Sequence, residues 1–151
     1  MPFLTPDPLD LNALVAEVCA KDRGAVLVFM GTVRSSPDDG DVAEIDYSSY
    51  PAMAEAEFES IVGEAAAKWP QVKVALRHRL GCVPVGEASI AIAVGAPHRG
   101  EAYEASRYVI EETKRRVPLW KKERFSDGST LWVQPAGWSV PEPPQVEAGR
   151  G

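Results

Sequence analysis

The chain has 151 residues, enough for one domain with a substantial core and too few for two independent ones. A hydrophobic fraction of 45%, a charged fraction of 25% and a formal net charge of −6 fit an ordinary globular protein and argue against general nucleic-acid binding. No apolar run approaches the roughly 20 residues that a membrane-crossing helix needs. Residues 1–10 also lack the basic start and apolar stretch of a signal peptide, so the expected location is cytoplasmic.

Along the chain, Leu11, Leu14, Val15 and Val18 recur at helical spacing, which predicts a helix over 9–21 with Asp7 or Asp10 as its cap. GAVLVFMGTV, residues 24–33, is a β-rich run without a breaker and reads as a largely buried strand closed by Arg34. SSPDDGD, residues 35–41, reads as a mobile loop. A second strand is expected over 42–49. A helix follows from Pro51 to about Trp69, with Met53, Phe58, Ile61, Val62 and Ala65 as its apolar face.

Residues 72–80 alternate, with Val72, Val74, Leu76, His78 and Leu80 on one side and Lys73, Arg77 and Arg79 on the other. On this pattern His78 reads as structural. The strand over 88–96 carries Ile90, Ile92 and Val94 on one face and Ser89, Ala91, Ala93 and Gly95 on the other; the small face admits a helix or a second chain at close range. A third helix is expected over 100–117, stopped by Pro118. Residues 119–124 read as extended, and a last strand is expected over 129–134 after the Asp127-Gly128 turn. The tail, 135–151, is rich in Pro, Gly, Ala and Glu and reads as disordered or loosely attached, with Trp138 as a point of attachment. The domain is thus expected over 1–134 with the tail beyond it. The order α-β-β-α-β-β-α-β, with hairpin-like spacings, predicts an α+β fold with a mostly antiparallel sheet.

Two cysteines make no disulfide framework, and neither Cys19 nor Cys82 has a zinc-spaced partner; Cys82 reads as a small buried hydrophobe, with a lesser claim as a nucleophile. There is no P-loop, dinucleotide fingerprint, nucleophile elbow or metal-spaced cluster in the sequence, so no resident cofactor or metal is expected. What stands out is KRRVPLWKKER, residues 114–124, a basic block in an acidic protein. At about 100° per residue, Ala102, Ser106, Val109, Ile110, Thr113 and Val117 share one arc of the third helix, with Lys114 at its edge and Arg115 on the far side. Lys114 is then either a snorkelling surface lysine or a pocket-wall amine able to act as base or nucleophile. Lys121, seven residues later, can be brought close to it by a reversal at Pro118. Two adjacent amines repel unless an anion lies between them. His98 and Arg99, at the start of the same helix, and Arg34, after the strand with Gly31, are further anion-binding candidates.

Taken together, GAVLVFMGTVR (24–34), SYPAMAE (49–55), HRLG (78–81), PVGE (84–87), APHRGEAYEA (96–105), KRRVPLWKKE (114–123) and DGSTLWV (127–133) resemble the large, catalytic subunit of molybdopterin synthase. The segments occur in that family's order. The resemblance implies an α/β-hammerhead-type fold and a homodimer. It further implies that each end of the dimer binds a small ubiquitin-like sulfur-carrier subunit, giving a heterotetramer. The carrier's C-terminal Gly-Gly thiocarboxylate would enter a pocket and supply sulfur to cyclic pyranopterin monophosphate, forming the molybdopterin dithiolene.

On the same resemblance, Lys114 corresponds to the essential catalytic lysine and Lys121 to a second active-site lysine. Arg34 corresponds to a ligand of the substrate anion, with Thr32 and Val33 lining its turn. His98 and Arg99 correspond to a pair reaching across the dimer, and Lys122 and Glu123 flank the substrate. Whether Lys114 acts as acid/base or bonds covalently to the carrier's carbonyl is left open by the residue types. Two rival readings are a non-catalytic scaffold that only binds a ubiquitin-like tail and an RNA- or phosphate-binding module. The first could dispense with Lys114 or the His98-Arg99 pair, and the second would need more interleaved aromatics than Trp120 and Phe125.

Overall fold

The structure, a computed structural model, describes residues 2–38 and 40–133. The expected tail and Trp138 lie outside them. The elements are β1 (Leu4–Thr5), α1 (Leu11–Val18), β2 (Ala25–Thr32), β3 (Val42–Ser49), α2 (Pro51–Lys68), β4 (Lys73–Arg79), β5 (Gly81–Pro84), β6 (Ala88–Ala96), α3 (Arg99–Arg116), β7 (Leu119–Phe125) and β8 (Thr130–Val133).

Two four-stranded sheets form where one was expected. The first has the order β1-β4-β6-β2 and is antiparallel except for the β1–β4 pair; the second has the order β5-β3-β7-β8 and is antiparallel throughout. The second sheet was harder to read because β5 has only four residues and the β7 segment is charged at four of seven positions. β1 has two residues and was missed; its register rests on Glu55 of α2, whose carboxylate accepts from the backbone N–H groups of Phe3 and Leu4.

The small face of β6 holds a helix. Ala75, Ala91 and Ala93 meet Leu14 and Val18 of α1, and a side chain at Gly95 would run into the Val18 carbonyl. Asp10 is the cap, accepting from the Ala13 N–H at 3.1 Å. On the opposite face, α2 and α3 cover Leu76, Ile90, Ile92 and Val94 with Phe58, Ile61, Ala65, Ala105 and Val109. Arg116 ties the two helices together through Glu57 and Glu64. Met53, expected on the apolar face of α2, is 44% exposed; Ala54 is the buried residue there.

β2 is an edge strand, not a fully buried one: it pairs only with β6, and Val26, Val28 and Met30 are exposed. An unbroken apolar run fits a strand buried on both faces and an edge strand whose outer side chains face open space. Gly31 does allow close approach, since a Cβ there would stand 2.8 Å from Ile90 Cγ2. The ladder shifts register at Gly31/Thr32. Both cysteines are exposed, Cys82 against expectation: Cys19 caps α1 beyond its last buried residue, and Cys82 lies on the outer face of the edge strand β5. No helix among the described residues is long and apolar enough to cross a membrane.

Candidate functional site

Four elements of sequence deliver two lysines to one cavity. Helix α3 ends at Arg116, and the Val117 N–H closes the last turn on the Thr113 carbonyl. Pro118 cannot continue the helix. The corner is fixed by Ser49 Oγ, which donates to the Pro118 carbonyl at 2.7 Å, and by burial of Trp120 edge-on to Tyr50. Strand β7 then pairs with β3, placing Lys121 opposite Tyr47.

The cavity, of about 370 Å³, opens at the seam between the two sheets and the C-terminal end of α3. Thr32, Lys114 and Lys121 line it, with Phe29, Gly31, Ile90, Ile110 and Thr113 on its apolar wall. Besides the two threonines, its neutral polar groups are Tyr47, His78 and Ser89. Burial pushes the Lys121 ammonium below the ordinary lysine range; the nearby Lys114 charge adds to this and Glu123 opposes it. Burial likewise lowers His78, to about 4, against the hydrogen bond to the Arg79 carbonyl and with help from Lys121. Burial raises the Tyr47 phenol, with the Ser89 hydroxyl opposing and the Glu123 charge adding to the rise. At neutral pH the cavity therefore presents cationic amines beside uncharged imidazole and phenol.

The basic block divides cleanly. Arg115 is paired with Glu112, Arg116 with Glu57, Glu64 and Glu112, and Arg124 with Glu44 and Asp46. Lys122 turns to the opposite face of β7 from Lys121, with Nζ 5.4 Å from the Trp132 ring. Among the described residues, neither Lys114 nor Lys121 has a carboxylate partner within salt-bridge distance. Among the described residues Lys122 has no carboxylate partner either, but it faces away; Lys114 and Lys121 are the unpaired lysines that face the cavity.

The other expected site residues lie elsewhere in the single chain. Val33 is buried beside Val42, Ile45 and Val83, and its N–H donates to the Glu87 carbonyl. Arg34 follows at the exposed surface and does not line the cavity. Glu123 does not line it either but acts on Lys121 and Tyr47 through its charge. His98 and Arg99 start α3, and Lys114 lies fifteen residues after Arg99, so the helix separates them by about 23 Å at 1.5 Å per residue. Tyr47 and Ser89 gave no signal in the sequence. His78, expected to be structural, is buried and bonded to the Arg79 carbonyl, and it also lines the cavity. Among the described residues, no group of three or more His, Cys, Asp or Glu side chains is arranged to hold a metal ion.

A cavity with two lysines that lack carboxylate partners at its wall, at the seam of two sheets, defines an α+β protein with a cationic pocket. The family model described as MoaE protein matches residues 4–116. The chain belongs to that family, the catalytic subunits of molybdopterin synthase, and so to the enzymes of molybdenum cofactor biosynthesis. The molybdopterin synthase catalytic subunit of Emericella nidulans is 45% identical over 129 residues, covering 85% of this chain and 66% of that one. Catalytic subunit 1 of Mycobacterium tuberculosis is 39% identical over 130 residues, covering 86% and 88%. The molybdopterin synthase crystal structure from Staphylococcus aureus superposes with a TM-score of 0.82 at 33% identity, covering 87% of this chain and 95% of that one. A complex of subunits 1 and 2 of the molybdopterin-converting factor from Helicobacter pylori superposes with a TM-score of 0.73 at 27% identity, covering 86% and 88%.

Proposed function

We propose that the Lys114–Lys121 cavity is where sulfur passes from a small ubiquitin-like carrier subunit to cyclic pyranopterin monophosphate. The observation that carries this is the segregation of charge: the arginines of the basic block are neutralised, and the two lysines facing the cavity are not. A carrier tail ending in a Gly-Gly thiocarboxylate is anionic, and so is a cyclic phosphate. Two ammonium groups hold such anions, and they stabilise the charge that develops on oxygen during addition. The thiocarboxylate supplies the nucleophilic sulfur, so no cysteine of this subunit is needed. That accords with Cys19 and Cys82 both standing apart from the cavity.

In this scheme Lys114 and Lys121 are the catalytic pair, and Thr32 lines the substrate pocket. Arg34, with Val33 behind it, meets the substrate anion at the rim, while Lys122 and Glu123 flank it. A carrier subunit as partner is supported by the Helicobacter pylori relative, whose structure is a complex of two subunits. A homodimer of hammerhead-type subunits, with a carrier at each end, is supported by two features. One is the distance of His98 and Arg99 from the lysines of their own chain, which leaves another copy's site as their place of action. The other is the exposed stripe of Val26, Val28 and Met30 on edge strand β2, beside exposed Tyr103.

The test is reconstitution with thiocarboxylated carrier and the pterin precursor, comparing wild type with Lys114→Ala. Loss of dithiolene formation by the variant, with its fold and carrier binding intact, is the expected result. Unchanged formation would sink the assignment.

A further inference from the structure

His78 is buried, and its Nδ1 lies 2.8 Å from the Arg79 carbonyl oxygen. A carbonyl only accepts, so Nδ1 carries the proton of the neutral ring and Nε2 is left as a bare acceptor. Among the described residues Nε2 has no hydrogen-bond partner. The ring cannot easily turn away, because Tyr47 packs edge-on against it at 5.1 Å and the Phe58 ring lies 6.5 Å away. It lines the same cavity as Lys114 and Lys121. The bond to the Arg79 carbonyl gives Nδ1 a structural role but leaves Nε2, on the cavity side, without one.

An uncharged acceptor beside two ammonium groups sorts a ligand by its parts. Anionic oxygens offer Nε2 nothing to accept and go to the lysines. An N–H or O–H on a neutral ring does the reverse. The hydroxyls of Tyr47 and Ser89 extend this uncharged polar surface, and Phe29 and Ile90 add apolar surface for the face of a flat ring.

We infer that His78 is a substrate-binding residue, whose Nε2 accepts a hydrogen bond from an N–H of the neutral heterocyclic ring while the lysines hold the anion. This rests on the proposed pterin-phosphate substrate and assigns its ring edge within the cavity. It makes His78 a determinant of orientation: the donor edge of the ring faces β4, and the anionic end faces the junction of α3 and β7.

The test measures binding by the full-length protein of three probes: the pterin phosphate, a phosphate-free pterin and inorganic phosphate. Wild type is compared with His78→Phe, which removes the acceptor, and His78→Gln, whose amide oxygen restores one. His78→Phe is expected to weaken both pterins by the same factor, about 10- to 100-fold, as for a buried N–H left without its acceptor. Phosphate binding should stay unchanged, and His78→Gln should recover most of the pterin affinity. ¹⁵N NMR should show the Nδ1–H tautomer in the free protein and a shift of the Nε2 resonance on adding phosphate-free pterin.

Equal pterin affinity in wild type and His78→Phe overturns the inference while leaving the catalytic site standing. So does equal weakening of all three probes without rescue by Gln, which marks a structural role. If His78→Phe does not fold, the Gln variant and the Nε2 resonance decide: an Nε2–H tautomer, or no shift on adding pterin, overturns it. Failure of wild type to bind either pterin overturns both the inference and the substrate on which it rests.

Discussion

Lys121 and Tyr47 face one another across the β3–β7 ladder, with the lysine Nζ 6.0 Å from the centre of the tyrosine ring. The ring takes one side of the amine away from water, and Lys114 adds a like charge to the same cavity. Both effects disfavour the protonated form, burial more than charge. Replacing Lys114 with Gln removes the like charge and leaves the burial. The Lys121 pKa should therefore rise toward the ordinary lysine value without reaching it. A ¹³C or ¹⁵N NMR titration of Lys121 in both proteins reads this directly, and an unchanged midpoint would show that the two amines do not sense one another. Anion affinity of the wild type should fall as pH rises through the lowered Lys121 pKa, because the ammonium is the form that binds.

The buried His78 makes stability depend on pH in a defined window. Its folded-state pKa is about 4 and its ordinary value is 6.5. Between these, the unfolded chain holds a proton that the native chain does not, so stability falls as pH falls. Above pH 6.5 both states are neutral and the group contributes no slope; below about 4 the loss is complete, on the order of 3 kcal/mol. The Lys121 charge is part of this lowering, and so widens the window, because it opposes protonation of the ring. Urea unfolding of wild type and His78→Gln between pH 7 and 4 should give curves that converge as pH falls. Parallel curves would mean that the imidazole is protonated in the native state.

Much of this site was legible before any coordinates. The helix wheel separated Lys114 from Arg115, and Arg115 does point to Glu112 and solvent. The small residues of β6 announced a close neighbour, and α1 is there. What the sequence could not show was pairing at a distance. Arg116 and Arg124 look as available as Lys121 in a linear block, and only the fold brings Glu57, Glu64, Glu44 and Asp46 to neutralise them. The cavity beside His78 was hidden for a related reason. Alternation tells which side chains share a face; it does not tell whether that face is packed solid or borders a cavity. The apolar run of β2 was ambiguous in the same way, because an edge strand and a central one can carry the same residues.

If His98 and Arg99 serve the lysines of a second copy, two inactive variants should rescue one another. Lys114→Ala spoils the lysine wall, and His98→Ala/Arg99→Ala spoils the start of α3. In a mixed dimer one site inherits both defects and the other inherits neither. Co-expression followed by reconstitution should then recover about a quarter of wild-type activity by random pairing of copies. If each chain used its own His98 and Arg99, every site would carry one defect or the other and no activity would return. A monomer by analytical ultracentrifugation would remove the basis for the pairing altogether.

Two glycines should respond to the same substitution with opposite signs. Gly95 lies in β6 under the last turn of α1, where an added methyl would meet the Val18 carbonyl and the side chain of Arg23. The carbonyl is fixed by its place in the helix end and also accepts from Arg23 Nη1 at 3.2 Å, so it cannot swing aside cheaply. Gly95→Ala should therefore push α1 off the sheet and cost about 2–3 kcal/mol, in line with overpacking of a close contact. Gly63 sits inside α2 with nothing within 4 Å of the place a Cβ would take. Gly63→Ala meets no obstacle and gains helix propensity, a stabilisation of about 1 kcal/mol. Thermal unfolding should move the two midpoints in opposite directions. Hydrogen exchange adds the spatial test: the loss in Gly95→Ala should centre on residues 11–18 and leave the Lys114–Lys121 cavity protected. A uniform loss across both sheets would mean that α1 is part of the core that holds the site together, not a cover on its far side.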